Sequence, residues 1–344
     1  MSRPGARATR VAVIGVGVMG RHHARNYLAL PGADLVAVVD PDPDARARAE
    51  REFGVPAHPD VATLLAATPV DAASVVAPTR HHYALTDALM AAGVHVLVEK
   101  PVTADVAEAE ALVRRSRDLG VVLQVGHITR FFRAVRLLQE RVEAPYLVEA
   151  RRLAQQARIT DVGVVLDLMI HDIDIVLGLV GAELREATVS GFTLSDDQVG
   201  EDVAAAQLTF ANGAVARLLA SRVAPDAERT LVVAERDRTF RVDFLREPHT
   251  EIAVYRSRPD ATGDTHVRSD LQVVAEDNPL REELAHFLAR LGGDVAPIGT
   301  LEDDLRSLRV ATDLLGRLDA TGAPHDPGAA AAVVAGPATD PGVR

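Results

Sequence analysis

Asp167 and His171 interrupt an otherwise apolar run, Asp161 to Gly181, DVGVVLDLMIHDIDIVLGLVG. Ionisable side chains seldom enter an apolar segment unless they are paired or do chemistry. On a helix, residues four apart project from one face, so the carboxylate is expected to orient the imidazole and raise its basicity. A catalytic base, a metal pair and a satisfied core pair all fit that pattern. A metal ion needs at least a third protein ligand, and Asp172 and Asp174 lie roughly 100° or more around the helix from His171. No metal site is therefore expected. Lys100 follows Glu99 at the end of another apolar run, Val94 to Val98. A lysine so placed can polarise a substrate oxygen; the plain alternative is an ion pair with Glu99.

A base and a cation need elements to position them and a partner to react with. Arg10 to Ile14 is a short β-branched run that predicts a buried strand. It leads into Gly15-Val-Gly-Val-Met-Gly20, a complete GxGxxG, and then a helical segment to about Leu30. A second strand, Asp34 to Val39, ends on Asp40, 20 residues beyond Gly20. That is where a dinucleotide fold puts the acid for the adenosine ribose hydroxyls. Gly15 allows the tight turn, Gly17 the approach of the pyrophosphate, and Gly20 close packing of helix on strand. The helix N-terminus, with Val18 and Met19 in its first turn, offers partial positive charge to phosphate. Asp40 repels a 2′-phosphate, which favours NAD over NADP, although Arg46 and Arg48 lie nearby.

The alternation continues. Helices are expected over Pro43 to Phe53, Val61 to Ala67, Tyr83 to Ala92 and from Thr103 to Gly120; strands over Val70 to Ala77, Val94 to Val98 and Val121 to Val125. Strand-like runs alternating with helices over about 125 residues predict a doubly wound parallel sheet, residues 1–126. Ligands bind beyond the carboxyl ends of such strands. Pro78, Thr79, His82, Glu99, Lys100 and His127 all fall there, beside the glycine turn. His22 and His23, just after that turn, are expected to face solvent or the other domain.

After His127 the pattern changes. A helix over Phe131 to Val142, a strand over Tyr146 to Leu153 and the helix Asp161 to Gly181 precede β runs at Ala187 to Leu194, Val203 to Phe210, Ala214 to Arg222, Thr230 to Ala234, Thr239 to Phe244 and Glu251 to Tyr255. Asn212-Gly213 marks a tight hairpin. Two amphipathic helices close the region, Pro279 to Leu291 and Leu301 to Leu318. Residues 127–320 are thus expected to form an α+β domain with an open, mostly antiparallel sheet, residues 301–318 packing back on the first domain. The tail, residues 321–344, rich in Ala, Gly and Pro, is expected to be disordered. Alternation in Val203 to Leu219 is apolar on both faces, which predicts a homodimer or homotetramer through this sheet.

Composition narrows the classes. With 37 basic and 49 acidic residues the net charge is -12, and no basic stripe suggests nucleic acid. There is no cysteine, so neither disulfides nor thiolate metal sites arise. The opening residues lack the apolar core of a signal peptide, and no run of about 18 apolar residues is uninterrupted. No membrane span is expected, and a cytoplasmic location is.

Together the motifs resemble the glucose–fructose oxidoreductase / inositol dehydrogenase family (Gfo/Idh/MocA), over about Arg10 to Leu318. The resemblance rests on the Gly15 to Gly20 fingerprint, on Glu99-Lys100-Pro101 closing a strand, and on Asp167-x-x-x-His171. Val125-Gly-His127 followed by Arg130-Phe131, and the run from Arg158 to Asp174, resemble its sugar-nucleotide branch, which includes UDP-N-acetylglucosamine 3-dehydrogenases. That branch usually has GHxERFNPA where this chain has GHITRFFRA, so Thr129, Phe132 and Arg133 depart from it. The resemblance implies NAD-dependent oxidation of a sugar secondary hydroxyl by Lys100, Asp167 and His171, most simply at C3 of UDP-N-acetylglucosamine. His171 suits the base, because an imidazole titrates near neutral pH; Lys100 stabilises the alkoxide or shares the base role. His127, Arg130 and Arg158 are candidates for the substrate, the arginines for its diphosphate; each arginine has an ordinary salt bridge as its alternative. An inositol or free-sugar dehydrogenase and a non-catalytic NAD-binding regulator are the rival functions. The intact Lys100, Asp167 and His171 argue against the regulator.

Overall fold

The computed structural model describes residues 7–155, 161–194, 199–245, 250–259, 265–274, 278–293 and 295–321. Arg158 and the tail expected to be disordered, from Gly322 on, lie outside the described residues.

The first sheet is built as the alternation predicts, from β1 (Thr9–Ile14), α1 (Val18–Ala29), β2 (Ala33–Val39), α2 (Pro43–Phe53), β3 (Ala57–His58), α3 (Val61–Ala67), β4 (Ala72–Val75), α4 (His82–Ala91), β5 (His95–Glu99), α5 (Val106–Leu119) and β6 (Leu123–Gly126). Its strands are parallel in the order β3-β2-β1-β4-β5-β6. The third strand is only two residues long, too short to show a pattern in sequence. Helix starts follow local chemistry: Asp42, Asp60 and Asp105 accept from backbone N–H groups of the first turns of α2, α3 and α5. The last of these caps moves the start of α5 from the expected Thr103 to Val106. The sheet reverses order at β1 and β4, and the crevice beyond their carboxyl ends is where such a fold takes its ligand.

The second sheet has eight strands: β7 (Leu147–Leu153), β8 (Leu184–Phe192), β9 (Val203–Phe210), β10 (Val215–Ser221), β11 (Glu228–Ala234), β12 (Arg238–Asp243), β13 (Thr250–Pro259) and β14 (Thr265–Val274). They lie in the order β14-β13-β12-β11-β7-β10-β9-β8, antiparallel except for β7 beside β10. The β9–β10 turn at Asn212-Gly213 forms as predicted, with Gly213 at φ 86°. The strand β14 has no counterpart in the predicted runs.

Helices α6 (Arg133–Arg141) and α7 (Ile170–Val180) come from the middle of the chain, and α8 (Pro279–Leu291) and α9 (Leu301–Thr321) from its end. One apolar cluster runs from the first sheet through α6, α7 and α9 to the inner face of the second. A smaller one joins β1, β2 and α1 to Leu280, Leu284 and Phe287 of α8. Both C-terminal helices therefore return to the first sheet, where only residues 301–318 were expected to. None of the described helices is long and apolar enough to cross a membrane.

The stretch Asp161 to Gly181 is not one regular helix. Val165–Met169 is a π-helical turn, and α7 begins only at Ile170. Glu201 accepts from the Val165 N–H at 2.6 Å and so holds the turn's first donor. Such wide turns rotate the residues after them out of the 3.6-residue register.

Candidate active site

At the end of β1, Gly15 takes φ +90°, and a Cβ there would meet the Val76 carbonyl oxygen at 2.7 Å. A Cβ on Gly20 would run into the Gly15 carbonyl, so α1 could not pack on β1. Gly17 is different: nothing lies within 4 Å of where its Cβ would be. That open space borders the N-terminus of α1, whose first turn carries no acid and exposes Val18 and Met19. Asp40 reaches back to the turn, accepting from the N–H groups of Val16 and Asp42, each at 2.9 Å. The open space at Gly17, the N-terminus of α1 and the Asp40 carboxylate thus lie together at one turn, the arrangement a dinucleotide's diphosphate and ribose call for. Arg46 is engaged by the carbonyls of Asp40 and Pro41, and Arg48 lies 3.7 Å from Asp42.

The strand ends beyond this turn behave differently from one another. Pro78 is exposed and Thr79 buried at the end of β4. His82, expected beside the cofactor, is closed off instead: both ring nitrogens sit 2.8 Å from backbone carbonyls, of Ala77 and Pro101. It ties the loop after β4 to the loop after β5. Glu99 is bonded to His23 Nε2 at 3.1 Å. His23 is fully buried rather than facing solvent or the other domain, and His22 is exposed. Burial pushes the Glu99 carboxyl up, but the bond from His23 and the charges of His23 and Lys100 outweigh it and hold it below the usual range.

Lys100, one residue on, leaves the first domain. Its Nζ donates to Asp167 Oδ1 at 2.9 Å and to the Asp167 backbone carbonyl. The expected Asp167–His171 pair does not form. The π-helical turn carries Asp167 away from the four-residue register, and its carboxylate goes to Lys100. His171 Nδ1 is buried with no hydrogen-bond partner among the described residues. Burial, and then the charges of Lys100 and Arg152, hold the imidazole well below its ordinary pKa of 6.5. His171 is therefore neutral at neutral pH.

The acids after His171 hold the second domain's frame. Asp172 takes Arg152 of β7 in two bonds, 2.6 and 3.1 Å. Asp174 takes Arg130 in two more, 2.6 and 2.8 Å, and accepts from Ser307 of α9 at 3.0 Å. Arg130 also lies 2.7 Å from Asp304. With only 8% of its side chain exposed, Arg130 is a buried salt bridge and not open to a diphosphate. His127 sits against the same acids, 3.9 Å from Asp174 and 3.8 Å from Asp304, and is 2% exposed. Burial lowers its pKa to about 4. Burial likewise lifts Asp304 to about 7, the charge of Asp174 adding and Arg130 opposing. Among the described residues no group of three or more His, Cys, Asp or Glu could hold a metal ion.

Sequence reasoning missed His23, Arg152 and Asp304. Arg152 had a signal: it shares the alternation of Val148 and Ala150, so an arginine was bound for the buried face. His23 and Asp304 had none, since their partners Glu99 and Arg130 are distant in the chain.

Residues 9–127 match the oxidoreductase family with an NAD-binding Rossmann fold (GFO_IDH_MocA), and residues 115–242 match the GFO/IDH/MocA C-terminal domain. The chain belongs to the Gfo/Idh/MocA family. Members similar to it include UDP-N-acetylglucosamine 3-dehydrogenase of Acidithiobacillus ferrooxidans, 39% identical over 281 residues that make up 81% of this chain and 87% of that one. Another Gfo/Idh/MocA relative, scyllo-inositol 2-dehydrogenase (NAD(+)) of Bacillus subtilis, is 31% identical, covering 71% and 76%. The solved structure of the Acidithiobacillus enzyme superposes with a TM-score of 0.81, covering 92% of this chain and 99% of that one at 35% identity. The WlbA dehydrogenase of Bordetella pertussis, solved with NADH and UDP-GlcNAcA, shares the fold with a TM-score of 0.76 at 20% identity, covering 91% and 97%. This Gfo/Idh/MocA chain is thus an NAD-dependent oxidoreductase, and the glycine turn and Asp40 are the residues that fit its cofactor.

Proposed function

We propose that this protein oxidises the C3 hydroxyl of UDP-N-acetylglucosamine to a ketone. The observation that carries the chemistry is Lys100 anchored on Asp167, with its charge falling on a buried, neutral His171. The substrate class is favoured by the 39% identical UDP-N-acetylglucosamine 3-dehydrogenase. NAD, when bound, supplies the hydride acceptor. Gly17, the first amides of α1 and Asp40 would hold its diphosphate and ribose, with Pro78, Thr79 and Glu99 at the strand ends that border it. Val18 and Met19, exposed in the first turn of α1, would line its edge.

His171 removes the hydroxyl proton while the C–H electron pair leaves carbon, and the O–H pair closes the carbonyl. Lys100 donates to the oxygen as negative charge builds there. Asp167 keeps the Lys100 ammonium in place, since two acceptors on one residue fix its direction. Both groups lie between the domains, where burial strengthens each interaction over its value in water.

A second reading is an inositol or free-sugar dehydrogenase, favoured by the scyllo-inositol relative and by the departures at Phe132 and Arg133. The experiment that separates them follows absorbance of reduced nicotinamide with NAD and each substrate in turn. Turnover of inositol or glucose with none of UDP-N-acetylglucosamine would overturn the nucleotide-sugar reading. The protein is further taken to act in the cytoplasm as a homodimer or homotetramer through the second sheet.

A further inference from the structure

Asp167 has two possible partners, Lys100 after β5 and His171 in α7, and the backbone decides between them. In a regular helix Asp167 would stack on His171. Here the Ile170 N–H reaches back to the carbonyl of Val165, one residue further than the α pattern, and the wide turn sends the carboxylate to Lys100. The Val165 N–H is one of the donors that a helix start leaves without an internal partner. Glu201, just before β9, supplies that partner from outside. Its Oε1 accepts from Val165 at 2.6 Å, and its backbone carbonyl accepts from the Val164 N–H at 3.0 Å.

The contact is closely fitted. A Cβ on Gly163 would run into the Glu201 carboxylate, and one on Gly200, at φ +76°, would lie 2.7 Å from Gly163. Arg222 fastens the same two segments, donating to the carbonyls of Val162 at 3.0 Å and Val199 at 3.1 Å. Its charge is matched by Asp202 at 2.6 Å, and Glu201 makes no ion pair of its own among the described residues. Only 7% of Glu201 is exposed, and a carboxylate buried without a cation is costly. Burial pushes its carboxyl up, against the Val165 bond and the charge of Arg222.

We propose that Glu201 is a positioning residue of this site: by holding the Val165 N–H it keeps the turn wide and gives Asp167 to Lys100 instead of His171. The proposal deepens the function given above and rests on it, because it sets the cation and the base named there. His171 faces the cationic side chains of Lys100, Arg152 and Arg229 and the His127 ring, while its neighbours Asp172 and Asp174 are held by Arg152 and Arg130. Without the Val165 bond the turn closes to the α register and Asp167 returns to His171. Its charge then raises the imidazole, and Lys100 loses its anchor.

The test compares wild type, Glu201→Ala and Glu201→Gln. Crystal structures are expected to show Asp167 bonded to His171 in Glu201→Ala, and to Lys100 in Glu201→Gln, whose amide oxygen still accepts from Val165. Asp167 remaining on Lys100 in Glu201→Ala overturns the proposal. So does its departure in Glu201→Gln, which would assign the effect to charge and not to the Val165 bond. In solution, Glu201→Ala should lower kcat for UDP-N-acetylglucosamine oxidation by about 10–10²-fold, leave the KM for NAD unchanged and move the acid limb of kcat/KM upward. A fold that is merely weakened would melt earlier without moving that limb, so an unmoved limb also overturns the proposal. Should Glu201→Ala fail to fold, Gly163→Ala decides, since its methyl displaces the Glu201 carboxylate from Val165. The same move of Asp167 to His171 is expected there, and Asp167 still on Lys100 overturns the proposal. A wild type that oxidises no sugar would defeat the function proposed above, and the crystal structures would still decide this inference.

Discussion

Lys100 Nζ makes two bonds to Asp167, one to its carboxylate at 2.9 Å and one to its backbone carbonyl. The contact joins the residue after β5 to the π-helical turn of the second domain. Asp167 reaches Lys100 because the π-helical turn Val165–Met169 takes it out of step with His171. The widened turn is what separates the two side chains.

Lys100→Met is expected to lower kcat for sugar oxidation by about 10²–10⁴-fold while leaving NAD affinity intact. Asp167→Asn keeps the shape but removes the charge, so its loss of kcat should be smaller. It should also destabilise the fold by roughly 1–3 kcal/mol, since a half-satisfied ammonium stays behind. Steady-state kinetics with denaturant melts measure both. Full activity in Lys100→Met would remove it from the chemistry.

On the proposed mechanism, the neutral state of His171 sets the acid side of the pH profile. Its folded pKa lies below the ordinary 6.5, so the base stays unprotonated as pH falls through 6.5. The acid limb of kcat/KM for oxidation should therefore have its midpoint below pH 6.5, and His171→Gln should lose most of the activity across the range. A midpoint at or above pH 6.5 would contradict the burial argument. The sign for stability follows from the same shift. Below pH 6.5 the unfolded imidazole takes a proton that the folded one refuses, so this residue's contribution is complete above 6.5 and is lost as pH falls toward the folded pKa.

The glycine turn separates folding from binding. Gly17→Ala adds a methyl into open space and should leave stability within about 0.5 kcal/mol of wild type, yet weaken NAD binding by blocking the pyrophosphate. Gly20→Ala drives a methyl into the Gly15 carbonyl and should destabilise the fold itself. Thermal melting with and without NAD tells these apart; equal loss of stability in both variants would refute the distinction.

Much of this arrangement was legible in the sequence, and the omissions have causes. The parallel sheet followed from β-branched runs punctuated by Gly54, Gly93 and Gly120, and the cofactor turn from a strand, three glycines and an acid in fixed order. Arg130 misled because arginine suits both a phosphate and a buried carboxylate. Its partners Asp174 and Asp304 are 44 and 174 residues away (174 − 130 and 304 − 130), and only the folded chain brings them together. Asp167 misled because a helical register was assumed through a turn that the backbone widens.

The open face of the second sheet is a further correction of degree. The alternation was expected to be apolar on both faces; Ala204, Ala206 and Leu208 are buried, but the outward face mixes Ala205, Leu219 and Val232 with Glu149, Arg151, Arg217 and Glu228. Arg151 pairs with Glu228 at 2.9 Å, and Arg217 lies 3.9 Å from Glu149. A two-fold contact sets each such surface against its own copy, so charges of both signs can pair across it. Sedimentation velocity at micromolar concentration should show a dimer or tetramer, and Arg151→Glu combined with Arg217→Glu should shift it toward monomer. A wild type that sediments only as monomer would refute the assembly.

The most direct measurement uses UDP-N-acetylglucosamine carrying deuterium at C3. Incubated with the protein and NAD, it should yield reduced nicotinamide bearing the deuterium at C4, detected by mass spectrometry, together with a 3-keto sugar nucleotide. Reduced nicotinamide without deuterium, or none formed while inositol is turned over, would contradict oxidation at C3 by Lys100 and His171.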